Sequence, residues 1–186
     1  MRFYPLKDGA IYIDDCNIKN FNREDYRHAF GMVLQDAWLF SGTIMENLRY
    51  GKLDATDEEV IASAKAAHID HFIKTLPGGY SMELNEETSN VSSGQKQLLT
   101  IARAILANPK VMILDEATSN VDTRTEVLIQ KATDELMKGR TSFIIAHRLS
   151  TIQNADVILV LNHGDIVEVG THEELLKKKG FYYDLY

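Results

Sequence analysis

Cysteine is all but missing from these 186 residues: Cys16 stands alone. A disulfide framework and a cysteine-built metal site are therefore excluded, and the composition fits a reducing, cytosolic compartment. Also missing is any apolar run near the ~18 residues that a membrane-spanning helix needs, so nothing in the sequence reads as crossing a bilayer. Polar and aromatic residues follow Met1 at once, and no signal peptide is expected. Basic charge is in deficit: 20 Lys and Arg face 27 Asp and Glu, for a formal net charge of −7. A nucleic-acid partner wants a basic face, so this balance argues against one. There are no internal repeats. What remains, 45% apolar and 25% charged, is the composition of one globular domain, or of a domain with an inserted lobe.

The most informative positive feature is the run VMILDEATSNVD, residues 111–122. Four apolar residues, Val111 to Leu114, deliver two adjacent carboxylates, Asp115 and Glu116. The composition is that of a buried parallel strand, and open α/β sheets place ligands at the carboxyl ends of such strands. Of two neighbouring carboxylates there, one can hold Mg²⁺ through water and the other can polarise an attacking water for phosphoryl transfer. The bland alternative is a buried strand with a solvated acidic end. The usual partner of such a pair is absent, since nothing in the chain reads G-x-x-x-x-G-K-[ST], the loop that cradles phosphates.

Periodicity and caps predict the elements. Residues 9–14 read as a strand leaving a turn at Asp8-Gly9, residues 23–30 as one or two helical turns, and residues 31–34 as a short strand ending at Gln35. Thr43 is the expected cap of a helix over 44–49. Thr56 caps a helix through about Ala67, with Glu59 completing a capping box. Another helical piece covers 69–75, and Pro77-Gly78-Gly79 breaks the chain. Residues 80–90 read as loop. Residues 94–106 carry Leu98, Ile101, Ala102 and Ile105 at the spacing of a core-facing helix, which Asn108-Pro109 ends. A helix over 123–137 stops at Gly139. Residues 141–146 and 157–161 read as buried strands, residues 166–169 as the second arm of a hairpin turning at 162–164, and residues 172–178 as the last helix.

Several polar residues sit where chemistry is plausible. VSSGQ, residues 91–95, opens a helix, and a helix N-terminus offers free N–H groups and a positive dipole end to a phosphate, with the Ser92 hydroxyl as a further donor. Ordinary N-capping by serine is the alternative. Gln35, just past a strand, can meet Mg²⁺ or water, or be a plain surface glutamine. His147, at the end of a strand, can contact a phosphate or simply lie on the surface or in the core. Asp122 can be a helix N-cap, a functional acid, or both.

In this order and spacing the segments resemble the nucleotide-binding domain of an ATP-binding cassette (ABC) transporter of the exporter type, which carries multidrug, lipid or peptide cargo. GMVLQDAWLFSGTIMENLRYG looks like the Q-loop and the segment after it. VSSGQKQLLTIARAIL looks like the signature motif and its helix, VMILDEATSNVD like Walker B and the D-loop, IIAHRLSTIQNAD like the switch-histidine segment, and VEVGTHEELL like the family's tail. The resemblance runs from about Arg2 to Tyr186. It implies an α/β, P-loop NTPase-like, mostly parallel sheet with an inserted helical subdomain. Residues 1–186 would form a single partial domain: a helical lobe at about 41–106 carrying the signature, and the catalytic core portion at 1–40 and 107–186.

The resemblance also implies roles. Gln35 would sense Mg²⁺ and the γ-phosphate, and Asp115 would support Mg²⁺, both through water. Ser92, Ser93, Gly94 and Gln95 would bind the γ-phosphate of ATP held by the opposite subunit. Glu116 would be the general base, His147 would contact the γ-phosphate, and Asp122 would work across the dimer interface. The implied cofactors are ATP and Mg²⁺. The implied partners are a transmembrane domain, on the same or another chain, and a second nucleotide-binding domain, identical or not, at the cytoplasmic face of the cell membrane. No nucleic acid is implied.

Three departures qualify this. VSSGQ stands where the family usually has LSGGQ, so Ser93 must turn its side chain away from phosphate. MELNEETSN keeps only Glu86 of the usual TxVGExG. Furthermore, Arg2-Phe3-Tyr4 resembles residues that in the family lie within or just after the helix behind Walker A. The Walker A strand, loop and helix, and the aromatic that stacks on adenine, are therefore expected to be missing, leaving these residues inactive alone, without retained nucleotide, and prone to self-association. Two rival readings stand beside this: a non-enzymatic remnant lending its signature face in trans to a partner cassette, and a soluble ABC-type ATPase of DNA maintenance.

Overall fold

The protein is described by a computed structural model covering residues 1–85, 90–115, 121–146 and 152–185. It divides into two compact units, Met1–Phe143 and Ile144–Tyr186.

In the first unit, β1 (Tyr12–Ile13) and β2 (Cys16–Asn17) form a minimal antiparallel pair, shorter than the strand expected over 9–14. Helix α1 (Arg23–His28) starts at Asn22, whose side chain accepts the Glu24 N–H, and leads into β3 (Phe30–Val33). After β4 (Gly42–Thr43), Thr43 opens α2 (Ile44–Arg49): its hydroxyl accepts the Glu46 N–H, and the Glu46 carboxylate accepts the Thr43 N–H. Thr56 and Glu59 close the same reciprocal box at α3 (Asp57–Ala66). Each box satisfies two orphan donors locally, which is why both helices begin where the sequence predicts. Helix α4 (Asp70–Thr75) follows, and Gly78, at φ +86°, takes the left-handed turn beyond it. The expected loop over 80–90 contains β5 (Glu83–Leu84), paired antiparallel with β4.

Helix α5 (Ser93–Ala107) is the centre of this unit. It packs on α2, α3, β3 and α6. Leu98, Leu99, Ile101 and Ala102 are buried from it, as are Ile44 and Leu48 of α2 and Val60 and Ala64 of α3. Each such leucine or isoleucine contributes roughly 1.5–3 kcal/mol by leaving water. Asn108 ends the helix at φ +48°, a left-handed conformation that asparagine tolerates. The N–H groups of Lys110 and Val111 then both bond the Ala29 carbonyl, at 3.1 and 3.0 Å, seating β6 (Val111–Asp115) beside β3. The β3–β6 pair is parallel, with Phe30 opposite Val111 and Val33 opposite Leu114.

Helix α6 (Thr123–Met137) buries Ile129, Ala132 and Leu136. Strand β7 (Thr141–Ile145) completes the sheet order β3-β6-β7. The sequence pattern predicts a buried strand here, yet Phe143 and Ile145 are half exposed. An apolar run fixes the strand conformation, while burial depends on what covers its face.

In the second unit, β8 (Ile158–Asn162) and β9 (Asp165–Gly170) form an antiparallel hairpin through His163 and Gly164, both at positive φ. Only alternate residues of β8, Ile158 and Val160, are buried, where a continuous buried strand is predicted. They pack with Leu175 of α7 (His172–Lys178) and Tyr182 of α8 (Phe181–Leu185). Thr171 and Glu174 close a third box at α7. Among the described residues, no helix is long and apolar enough to cross a membrane.

Candidate functional site

The register of β3 on β6 places the first pair of residues. Val33 lies opposite Leu114, so Gln35, two residues past the end of β3, and Asp115, the last residue of β6, both lie at the carboxyl edge of this parallel pair. That is the edge where α/β folds bind ligands. Gln35 is exposed, and Asp115 is partly buried.

The second cluster is the first turn of α5. Ser92 is its N-cap: Ser92 Oγ accepts the Gln95 N–H at 3.3 Å, and Gln95 Oε1 accepts the Ser92 N–H at 2.9 Å. Both the bland and the functional readings of Ser92 are compatible with this, because a hydroxyl that accepts one bond still has its proton to donate. The N–H groups of Ser93 and Gly94 lie in the turn where a helix has no intrahelical acceptors to offer. Ser92 and Ser93 are exposed, whereas Gly94 is buried.

A cleft of about 270 Å³ brings Gln35 of the first cluster to Ser93 of the second; Asp115, Ser92, Gly94 and Gln95 are not among its lining residues. It is lined by Gln35, Asp36, Ala37, Ser93, Lys96, Gln97 and Val121. Lys96 and Gln97 were not singled out by sequence reasoning. Their signal is position alone, one turn into the signature helix, where Lys96 gives the cleft a positive charge.

Asp122 caps α6. Its carboxylate accepts the Thr125 N–H at 3.0 Å. Bonds from the Thr125 hydroxyl, then from the Thr125 amide, hold this carboxyl below the usual aspartate range. Glu116 and His147 lie outside the described residues, as does Glu86. Among the described residues, no group of three or more His, Cys, Asp or Glu side chains is arranged to hold a metal ion.

Residues 1–119 match the ABC transporter family. The chain belongs to that family. It is 58% identical over 185 residues, all of its own length, to an uncharacterized ABC transporter ATP-binding protein, YfiC, of Bacillus subtilis (strain 168), of which it covers 31%. It is 55% identical over 185 residues to a fatty acid ABC transporter ATP-binding/permease protein of Mycobacterium bovis (strain ATCC BAA-935 / AF2122/97), covering 29% of that protein. Among solved structures, a bacterial Atm1-family ABC exporter with ATP bound superposes with a TM-score of 0.91 at 43% identity, covering 99% of this chain and 32% of that one. The chain thus spans about a third of the length of these relatives. The α/β fold, with a parallel β3–β6 pair and helices packed around it, is that of an ABC nucleotide-binding domain.

Proposed function

We propose that these residues form part of the ATP-binding and ATP-hydrolysing domain of an ABC exporter, a domain that powers transport across a membrane. The observation that carries this is that Gln35 and Asp115 both lie at the carboxyl end of one parallel strand pair, in a chain that matches an ATP-bound exporter over 99% of the chain's own length. In this reading residues 41–106 are the helical lobe that carries the signature, and residues 1–40 and 107–186 belong to the catalytic core.

The donor set suits the expected cofactor. Amide and carboxylate oxygens are the hard donors that Mg²⁺ takes, usually with water between. Gln35 and Asp115 would hold the ion, which neutralises charge on the triphosphate when both are bound. Ser92, Ser93, Gly94 and Gln95 would meet the γ-phosphate held by a second nucleotide-binding domain, and Asp122 would act across the same interface. The resemblance assigns Glu116 as general base and His147 as a γ-phosphate contact. The partners are that second domain and a transmembrane domain, at the cytoplasmic face of the membrane, with no nucleic acid.

Phosphoryl transfer is mainly positioning and charge stabilisation, and the P-loop's backbone donors and lysine anchor the triphosphate. No G-x-x-x-x-G-K-[ST] stands in these 186 residues, so by themselves they bind ATP poorly and do not hydrolyse it. The test is steady-state MgATP hydrolysis by the 186-residue chain, and by the same chain preceded by the P-loop segment of a relative. The joined chain is expected to turn over ATP, and Glu116→Gln is expected to abolish that turnover. Hydrolysis by the 186 residues alone, lost in Glu116→Gln, would overturn the inactivity. A well-folded joined chain without turnover would overturn the enzymatic reading.

A further inference from the structure

A β-carbon placed on Gly94 would stand 2.5 Å from Thr125 Cγ2 and 3.0 Å from Val121 Cγ1. Non-bonded carbons rest about 3.5–4.0 Å apart, so a side chain at 94 would have to push its neighbour away by about 1 Å. Neither neighbour yields readily, since threonine and valine are β-branched and stiff at χ1. Gly94 is therefore a glycine of close approach, where the first turn of α5 meets the start of α6.

Thr125 also serves Asp122. Its main-chain N–H donates to Asp122 Oδ1 at 3.0 Å. Gly94 itself lies within the turn that the Ser92–Gln95 box closes. One residue thus meets the signature turn with its side-chain methyl and the α6 cap with its main-chain N–H.

We infer that Thr125 is a positioning residue: its methyl against Gly94 and its amide on Asp122 hold the signature turn and the Asp122 cap at one fixed spacing. The functional consequence rests on the nucleotide reading above. If Ser92–Gln95 and Asp122 engage the same second domain, this spacing sets whether they do so together. Glycine at 94 then has a packing reason that operates with no nucleotide present.

The test uses the 186-residue chain in solution without nucleotide. A nuclear Overhauser contact between the Thr125 methyl and the Gly94 α-protons is expected. Gly94→Ala should speed hydrogen exchange of the Thr125 amide by about tenfold or more, as overpacking loosens the cap. The Glu59 amide, held by Thr56 in a separate box, should keep its rate, which separates a local effect from general destabilisation. Thr125→Ser keeps the hydroxyl and the amide but removes the methyl. In the Gly94→Ala background it should return the amide at 125 to within about threefold of the original rate, after correction for intrinsic exchange. Should Gly94→Ala fail to fold, Thr125→Ser alone still tests the contact: it should shift the Gly94 amide resonance and leave that of Glu59 in place. An absent Overhauser contact, or unchanged Thr125 exchange in Gly94→Ala, would overturn the inference and leave the nucleotide reading standing. Loss of ATP turnover in the P-loop-joined chain would do the reverse.

Discussion

Arg103 donates to the main-chain oxygen of Asn47 at 2.8 Å and to its side-chain oxygen at 3.1 Å, from 56 residues further along the chain. The same guanidinium reaches the Trp38 carbonyl at 3.1 Å and lies over the rings of Phe40 and Tyr50, with centroids at 5.9 and 5.5 Å. Asn47 is fully buried; it accepts the Phe40 N–H and donates to the carbonyls of Phe40 and Thr43. The segment after Gln35 is thereby tied to the signature helix.

Removing Asn47 leaves the Arg103 fork and the Phe40 main chain short of partners in a buried place. Asn47→Ala is expected to cost about 2–4 kcal/mol, read from urea denaturation midpoints at constant slope. Arg103→Lys keeps the charge but loses the fork and the ring stacking, so it should recover only part of the loss seen in Arg103→Ala.

Acid should weaken the helix caps. The Glu46 carboxyl is held below its ordinary range by the Thr43 amide and then the Thr43 hydroxyl. Lys52 and then the Thr56 amide do the same for Glu59, and the Thr171 amide and then its hydroxyl for Glu174. Between the folded values and the unfolded value of about 4.3, the unfolded chain binds more protons. Stability from these groups is therefore complete above that window and is lost as pH falls through it. Replacing all three glutamates by glutamine, which can still cap, should flatten the fall of the thermal midpoint below about pH 4.5.

The hairpin of β8 and β9 leaves Leu159, Leu161, Ile166 and Val169 about half exposed, with Leu159 opposite Val169 and Leu161 opposite Ile166. Such a face is a liability for a chain in water. The 186-residue chain is expected to raise the fluorescence of a hydrophobic dye and to sediment with concentration dependence. Leu159→Thr with Leu161→Thr should reduce both; unchanged dye binding in a folded variant would count against this face as its origin.

In the P-loop-joined chain, Asp115→Asn should raise the Mg²⁺ concentration needed for half-maximal turnover by about tenfold, the lower end of what loss of a metal-orienting group costs. Titration of Mg²⁺ at saturating ATP checks this. An unchanged requirement would remove Asp115 from the ion's surroundings.

Local signals made much of this legible in advance. Thr43, Thr56, Asp122 and Thr171 cap helices within three residues of themselves, so sequence alone places the starts of α2, α3, α6 and α7. Strand β5 escaped because its partner, β4, lies some forty residues away and neither strand exceeds two residues. Helix α8 escaped because it is a single short turn of aromatic residues. Burial of β7 and β8 was overread because an apolar run does not say whether one face or two will be covered. At the candidate site, Ser92 and Asp122 announced themselves as caps. Thr125 and Lys96 did not, because their importance comes from what α5 and α6 bring near them. The Arg103–Asn47 tie has no local trace at all.

Four capping boxes stand among the described residues. Three close with glutamate, Glu46, Glu59 and Glu174, and one closes with glutamine, Gln95. Either residue can accept the cap N–H, but glutamate would also satisfy the positive end of the helix dipole. The glutamate-closed helices carry acids in their first turns; α5 carries none. The long helix at the centre of the first unit therefore forgoes a carboxylate that would steady it. About half a positive charge stays uncancelled, at the end proposed to meet a triphosphate.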